Sequence, residues 1–393
     1  MSDPHWHPEL FRRVSKSQLY RPNRPERKIR WIGRFTAGMF VFWLLSESLT
    51  PWTGIFNWER AFPEFGIRKS QVEASPVNAW IIGSSTVQHH VLPMLLDSVT
   101  EPLGLQWYNF GFQSAAPPES FYLAHELLNE LPINDLELIV FEVQPEEFIS
   151  WEEVTSLRHA AQLSFPELIR RIIHLPWRRP GSWSEQLEQS RIYLWGWVQH
   201  MVSFLRPSQH LSRITPTKDP RPELGFVALE EDDWETGRLR EAHLSWQAQT
   251  EELMDQQVHI AQDFDLRRTL EDPTVNWDCE GRIDPILAQM DALHRRCTAN
   301  GIQCMFHFQK LWDTNGCLYY AARERWGSDT VIESMGYAGF EDLYEVDDRY
   351  DESHFLRSGA EKFTRHLGEM IVAANPARVQ AKSEMQANPT NQR

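Results

Sequence analysis

Ala79-Trp80-Ile81-Ile82-Gly83-Ser84-Ser85 is the stretch on which the fold turns. Four consecutive apolar residues stopped by a glycine read as a short buried strand. A polar loop, Ser84 to Leu92, is expected next, and Pro93 then opens a helix to Val99, because proline suits the first helical position. Leu105 to Phe110 repeats the strand pattern and stops at Gly111. Pro117-Pro118 start a helix whose stripe is Phe121, Ala124, Leu127, Leu128 and Leu131, at helical spacing. Leu136 to Val143 is a third apolar run. Strand, helix, strand, helix, strand predicts an α/β fold, a parallel sheet flanked by helices.

Farther out the rhythm lapses and then resumes. Residues 150–280, rich in Trp, Arg, Glu and Pro, read as a helical insertion with helices near 158–175, 184–205 and 236–270. A helix over Pro285–Ala299, a turn at Gly301 and a strand over Ile302–Phe308 follow. A final strand is expected over Phe340–Val346. The last helix is expected to begin at Ser358, which has capping-box spacing with Glu361. Beyond it, 374–393 read as a polar tail. The domain is thus bounded at 77–373.

Residues 1–30 are polar, Pro-rich and basic. Residues 1–34 hold nine Lys/Arg and three Asp/Glu, a net of +6; the other 30 basic and 52 acidic residues leave the remainder at −22. So acidic a body argues against nucleic acid as a partner. Residues 31–49 are apolar apart from a few positions, with Arg34 and Glu47 near the ends and Trp31 and Trp43 within. They predict a membrane anchor, with the basic N-terminus cytoplasmic and the body outside, followed by a linker over 50–76. Cys279, Cys297, Cys304 and Cys317 form no close metal-ligand pattern, and no cofactor is expected. Free thiols and disulfides both remain open.

Open parallel sheets carry their chemistry at the carboxyl ends of the strands. Ser84-Ser85 follow the first strand, Asn109 and Gly111 end the second, and Glu142 and Gln144 end the third. Near the C-terminus stands Asp351-Glu352-Ser353-His354, just before a helix. A serine needs a base to become a nucleophile; an imidazole oriented by a carboxylate is such a base. His89-His90 are expected to be solvated on their loop, and His307 to be packed. Most of the insertion's tryptophans are expected to serve helix packing, and Glu230-Glu231-Asp232-Asp233 a solvated loop.

In these blocks the chain resembles the SGNH, or GDSL-like, hydrolase family, over about 78–150 and 285–372. The resemblance rests on Gly83-Ser84-Ser85, Asn109-Phe110-Gly111 and Asp351-x-x-His354 followed by Phe355 and Gly359-Ala360. It implies a flavodoxin-like three-layer sandwich with Ser85 as nucleophile, His354 as base and Asp351 orienting it. It also implies an oxyanion hole from the N–H groups of Ser85 and Gly111, with Gln144 near the place of the family's missing Asn. Ser84 in place of the usual Asp is similar to membrane-anchored members that modify cell-surface polymers. The implied function is a serine esterase or O-acyltransferase acting on acyl esters of an exported glycan, beside a membrane acyl-donor protein. The contrasting expectation is a catalytically silent scaffold that keeps the fold.

Overall fold

The computed structural model describes residues 63–144 except 114, 116 and 118, then 224–229, 238–270, 283–309 and 313–387 except 352, with scattered helical positions within 34–41 and 183–195. The expected anchor and the first two insertion helices lie largely or wholly outside these residues, as do positions 50–62 of the expected linker and the 230–233 acidic run; the rest of that linker is instead mostly helical, at Pro63–Glu73, with Phe65 buried. Among the described residues no helix is long and apolar enough to cross a membrane.

Five parallel strands make one sheet: β1 (Ala79–Gly83), β2 (Trp107–Gly111), β3 (Leu138–Glu142), β4 (Gln303–Phe308) and β5 (Val331–Glu333), in the order β2-β1-β3-β4-β5. That is the order of flavodoxin-like doubly wound sheets. The chain is therefore an α/β protein whose sheet is flanked by helices, as the β1–β3 pattern predicts. Strand residues alternate between faces. Ala79, Ile81 and Val140 join one apolar cluster, with α3 (Pro93–Val99) and α8 (Arg357–Ala373). Trp80, Ile82, Ile139 and Phe141 join the other, with α4 (Glu119–Glu130), α6 (Asp284–Ala299) and α7 (Asp313–Trp326). Both faces are buried, which is why the strands read as mostly apolar runs without polar alternation.

The remaining helices are α1 (Pro63–Glu73), α2 (Ser85–His90), α5 (Arg238–Arg267) and α9 (Pro376–Ala387). Other sequence expectations change as well. The polar loop after β1 is in fact α2: the Ser84 hydroxyl accepts from the Thr86 N–H at 3.2 Å, the capping that starts a helix. The expected strand over 340–346 is two 3₁₀ turns, Glu341–Tyr344 and Val346–Asp348. Its apolar residues, Phe340, Leu343 and Val346, recur every third position, which suits a 3₁₀ turn and not a strand. The fifth strand lies earlier, at Val331–Glu333, preceded by α7.

The last helix starts at Arg357 after Leu356, without a side-chain cap; the Ser358 hydroxyl bonds the Asp348 carboxylate instead. Finally, the polar tail is helical through Ala387. Polar contacts hold α9: Arg378 pairs with Glu137 and donates to the Leu103 carbonyl at 3.1 Å. The expected Gly301 turn stands, with φ +73° directly after α6.

Candidate active site

Each side chain at the sheet's carboxyl edge is held by a neighbouring element. Ser85 is the first residue of α2, directly beyond β1. Its Oγ lies 3.0 Å from His354 Nε2, a partner 269 positions away. His354 Nδ1 lies 3.0 Å from both carboxylate oxygens of Asp351. The serine, imidazole and carboxylate singled out in the sequence thus form one hydrogen-bonded chain, at the spacing proton transfer requires.

The Asp–His turn is shaped by its own backbone. Asp351 Oδ1 accepts from the N–H groups of Ser353 and His354 at 2.7 and 2.8 Å, and the Tyr350 N–H reaches the His354 carbonyl at 3.0 Å. Arg349 and Phe355 close the neck as an antiparallel bridge. Gly359 lets α8 pass close beneath: a Cβ there would stand 2.6 Å from the Asp348 carbonyl oxygen.

Burial opposes ionisation of Asp351, but the bond and charge of His354, with the two backbone donors, outweigh it and hold the carboxyl below its ordinary value. A depressed native pKa stabilises the fold at every pH above the unfolded value. That stability is lost as pH falls through the native value. The stability difference between the wild type and Asp351→Asn should therefore be present at about pH 5 and shrink as pH falls below about 4, the usual carboxylate range. Denaturant titrations at several pH values check this; a difference that grows below about pH 4 contradicts the assignment.

Around Ser85 lies a second network that the sequence did not disclose. Glu142, 3% exposed at the end of β3, accepts from the Ser84 N–H at 2.7 Å, the Ser84 hydroxyl at 2.9 Å and the Thr86 hydroxyl. The Gln144 amide donates to the Ser84 Oγ at 2.7 Å, to Glu142 at 3.1 Å and to Thr86 at 3.3 Å. A buried carboxylate needs such donors. The one available signal was a glutamate closing an otherwise apolar strand.

Two of the three expected oxyanion donors are spent internally. The Gly111 N–H donates to Asn109 Oδ1 at 2.7 Å, while Asn109 Nδ2 bridges the Val87 and Val91 carbonyls, each at 2.7 Å. This use of Asn109 ties β2 to α2. Gln144 is engaged beneath Ser84 rather than facing open space beside Ser85. The Ser85 N–H is different: as the first N–H of a helix it has no intrahelical acceptor, and it meets no other acceptor among the described residues.

His90 is not solvated but 1% exposed. Its Nε2 accepts the Phe355 N–H at 3.1 Å, its Nδ1 meets the Gln309 carboxamide, and its ring packs on Phe355, with centroids 4.4 Å apart. Thr364 on α8 donates to the His90 carbonyl and accepts the Leu92 N–H, both at 3.0 Å. These bonds lock the serine helix to the helix following His354. His89 is half-buried, with Nδ1 2.8 Å from the Val227 carbonyl oxygen and its ring edge-on to His354. His307 is packed as expected: it bonds Ser334 at 3.0 Å, and burial drives its pKa down to about 3, so it stays neutral.

Cys317 is disulfide-bonded, whereas Cys297 and Cys304 are buried free thiols. Trp246 is buried, but Trp183 and Trp195 are exposed. No protein-family model matches the chain, and neither the curated proteins nor the solved structures contain a match to it.

Proposed function

We propose that the protein is a serine-dependent ester hydrolase or O-acyltransferase of the SGNH kind, acting on acyl esters of an exported or cell-surface glycan. One observation carries this reading: Ser85 Oγ, the His354 ring and the Asp351 carboxylate stand in line at 3.0 Å steps. His354 Nε2 takes the Ser85 proton as Oγ bonds to the ester carbonyl carbon. The carbonyl oxygen becomes an anion facing the Ser85 N–H. Collapse expels the alcohol, which takes the proton back from His354 and leaves an acyl-serine. Water or a sugar hydroxyl then gives its proton to His354 and accepts the acyl group, and Ser85 Oγ takes that proton back from His354 as it leaves.

The setting supports export. The basic N-terminus before an apolar stretch suits an anchor with the body outside the cytoplasm, and a disulfide at Cys317 suits an oxidising compartment. The insertion is rich in Trp, whose flat faces can stack on sugar rings. A membrane acyl-donor protein fits the transferase form.

A second reading has its own observation. With the Gly111 N–H and the Gln144 amide internally bonded, the oxyanion would rely on few donors, which favours a silent scaffold in a membrane-associated complex. A fluorophosphonate probe separates the two. The active enzyme becomes labelled at Ser85 and hydrolyses p-nitrophenyl acetate, and Ser85→Ala does neither. Absence of labelling together with absence of turnover selects the scaffold. Adding an acylated donor and a glycan acceptor to the active protein then separates transfer from hydrolysis.

A further inference from the structure

Beside the triad lies a cavity of about 280 Å³. It touches Thr86 and Ser353, the residues next to Ser85 and His354. Leu253 and Ile260 of α5 wall one side, and Phe355 and Phe363 another. Among the described residues no Asp or Glu lines it, although the chain carries a net charge of −16. The permanent charge among its described lining residues is the guanidinium of Arg349.

That guanidinium is unusually placed. Its Nη2 donates to the Leu343 carbonyl at 2.8 Å, while its Nε is buried without a partner. It makes no ion pair among the described residues. The two acids that act on its charge are committed elsewhere: Asp348 lies 2.6 Å from Lys362, and Asp351 holds His354. Stacking over the Phe355 ring at 4.2 Å fixes its orientation. Burial pushes its pKa down to about 10, which still leaves it cationic at neutral pH. A withdrawn guanidinium without a counter-ion is costly to keep, and its planar fork matches an oxyanion.

We propose that this cavity is the subsite for an anionic group, a carboxylate or a phosphate, on the ester that Ser85 attacks, with Arg349 as the counter-ion. The inference rests on the serine-ester reading for the ester itself, but not for the anion. Ser334, Ser353 and Gln309 supply neutral polar atoms around the bound group. The apolar walls take the chain that joins this group to the ester.

Two measurements test it. The first compares p-nitrophenyl butyrate with p-nitrophenyl hemisuccinate, which differs by a terminal carboxylate. Charge-assisted hydrogen bonds predict kcat/KM at least about tenfold higher for the hemisuccinate. Arg349→Gln should bring the ratio towards unity. So should Gln256→Glu, which sets a carboxylate in the same cavity without altering the Asp–His turn. A wild-type ratio at or below one, or a preference that survives both substitutions, overturns the proposal.

The second measurement needs no turnover. Calorimetry on Ser85→Ala with monomethyl succinate, monomethyl phosphate and methyl butyrate should show saturable binding for an anion only, lost with Arg349→Gln. Whichever anion binds more tightly identifies the group. Anion binding without any ester turnover would sink the hydrolase reading and keep the subsite; turnover without anion binding would do the reverse.

Discussion

Ser85→Ala is expected to lower ester turnover by about 10⁴–10⁶-fold, and His354→Ala by a similar factor, since such residues act as a unit. The double variant should be scarcely worse than either single one. The reason is geometric. Without Oγ nothing stands 3.0 Å from His354 Nε2 to be deprotonated, and without the ring the hydroxyl has no base within reach. Stability should hardly move in Ser85→Ala, because the residue is half-buried and loses one hydrogen bond, about 1 kcal/mol. The check is steady-state kinetics on p-nitrophenyl acetate beside a thermal melt. Loss of activity with an unchanged melt supports the assignment. Full activity in Ser85→Ala ends it.

Gly111→Ala should strongly destabilise the fold. A Cβ at Gly111 would stand 2.1 Å from the Gln88 nitrogen and 2.5 Å from its Cα. These are backbone atoms of α2, so no side chain can swing aside. The helix would have to lift from β2, breaking the Asn109 bonds to the Val87 and Val91 carbonyls. A cost of about 3 kcal/mol or more is expected, at the upper end of overpacking. Because α2 carries Ser85, activity should fall along with stability. Gly301→Ala is the comparison: nothing lies within 4 Å of its Cβ, and only the positive φ opposes it, so about 1–2 kcal/mol is expected. Unfolding in urea ranks the two; equal costs would contradict the close α2–β2 packing.

Much of the sheet could be read from local composition. The first four strands are mostly apolar runs with both faces buried, and such runs announce themselves without alternation. Val331–Glu333, with three residues, is too short to carry a pattern, and the helix before it has no clear stripe. Phe340, Leu343 and Val346 were read as a strand although their spacing of three belongs to a 3₁₀ turn. The C-terminal helix carries little apolar pattern, because polar pairs to Glu137 and residues 101–103, with Val379 against the core, hold it.

The Ser, His and Asp could be named because their chemistry and their places, Ser85 after a strand and Asp351 and His354 before a helix, are local properties. Their neighbours could not. His90 looked solvated beside His89, yet it is buried against Phe355, which lies 265 positions away. Gln144 and Gly111 looked like oxyanion donors, yet acceptors at Ser84 and Asn109 occupy them.

By itself the amino-acid order determined where the chain extends, where it turns and which residue types stand at the sheet's rim. It did so through hydrophobic runs and backbone preferences that act over a few positions. Only the tertiary structure decided which donor meets which acceptor: that Glu142 gathers Ser84 and Thr86, and that, among the described residues, the Ser85 N–H meets no acceptor and Arg349 faces a cavity without a counter-charge. Hydrogen bonds and ion pairs form between whichever groups packing brings within about 3 Å, and packing joins segments that the sequence keeps far apart.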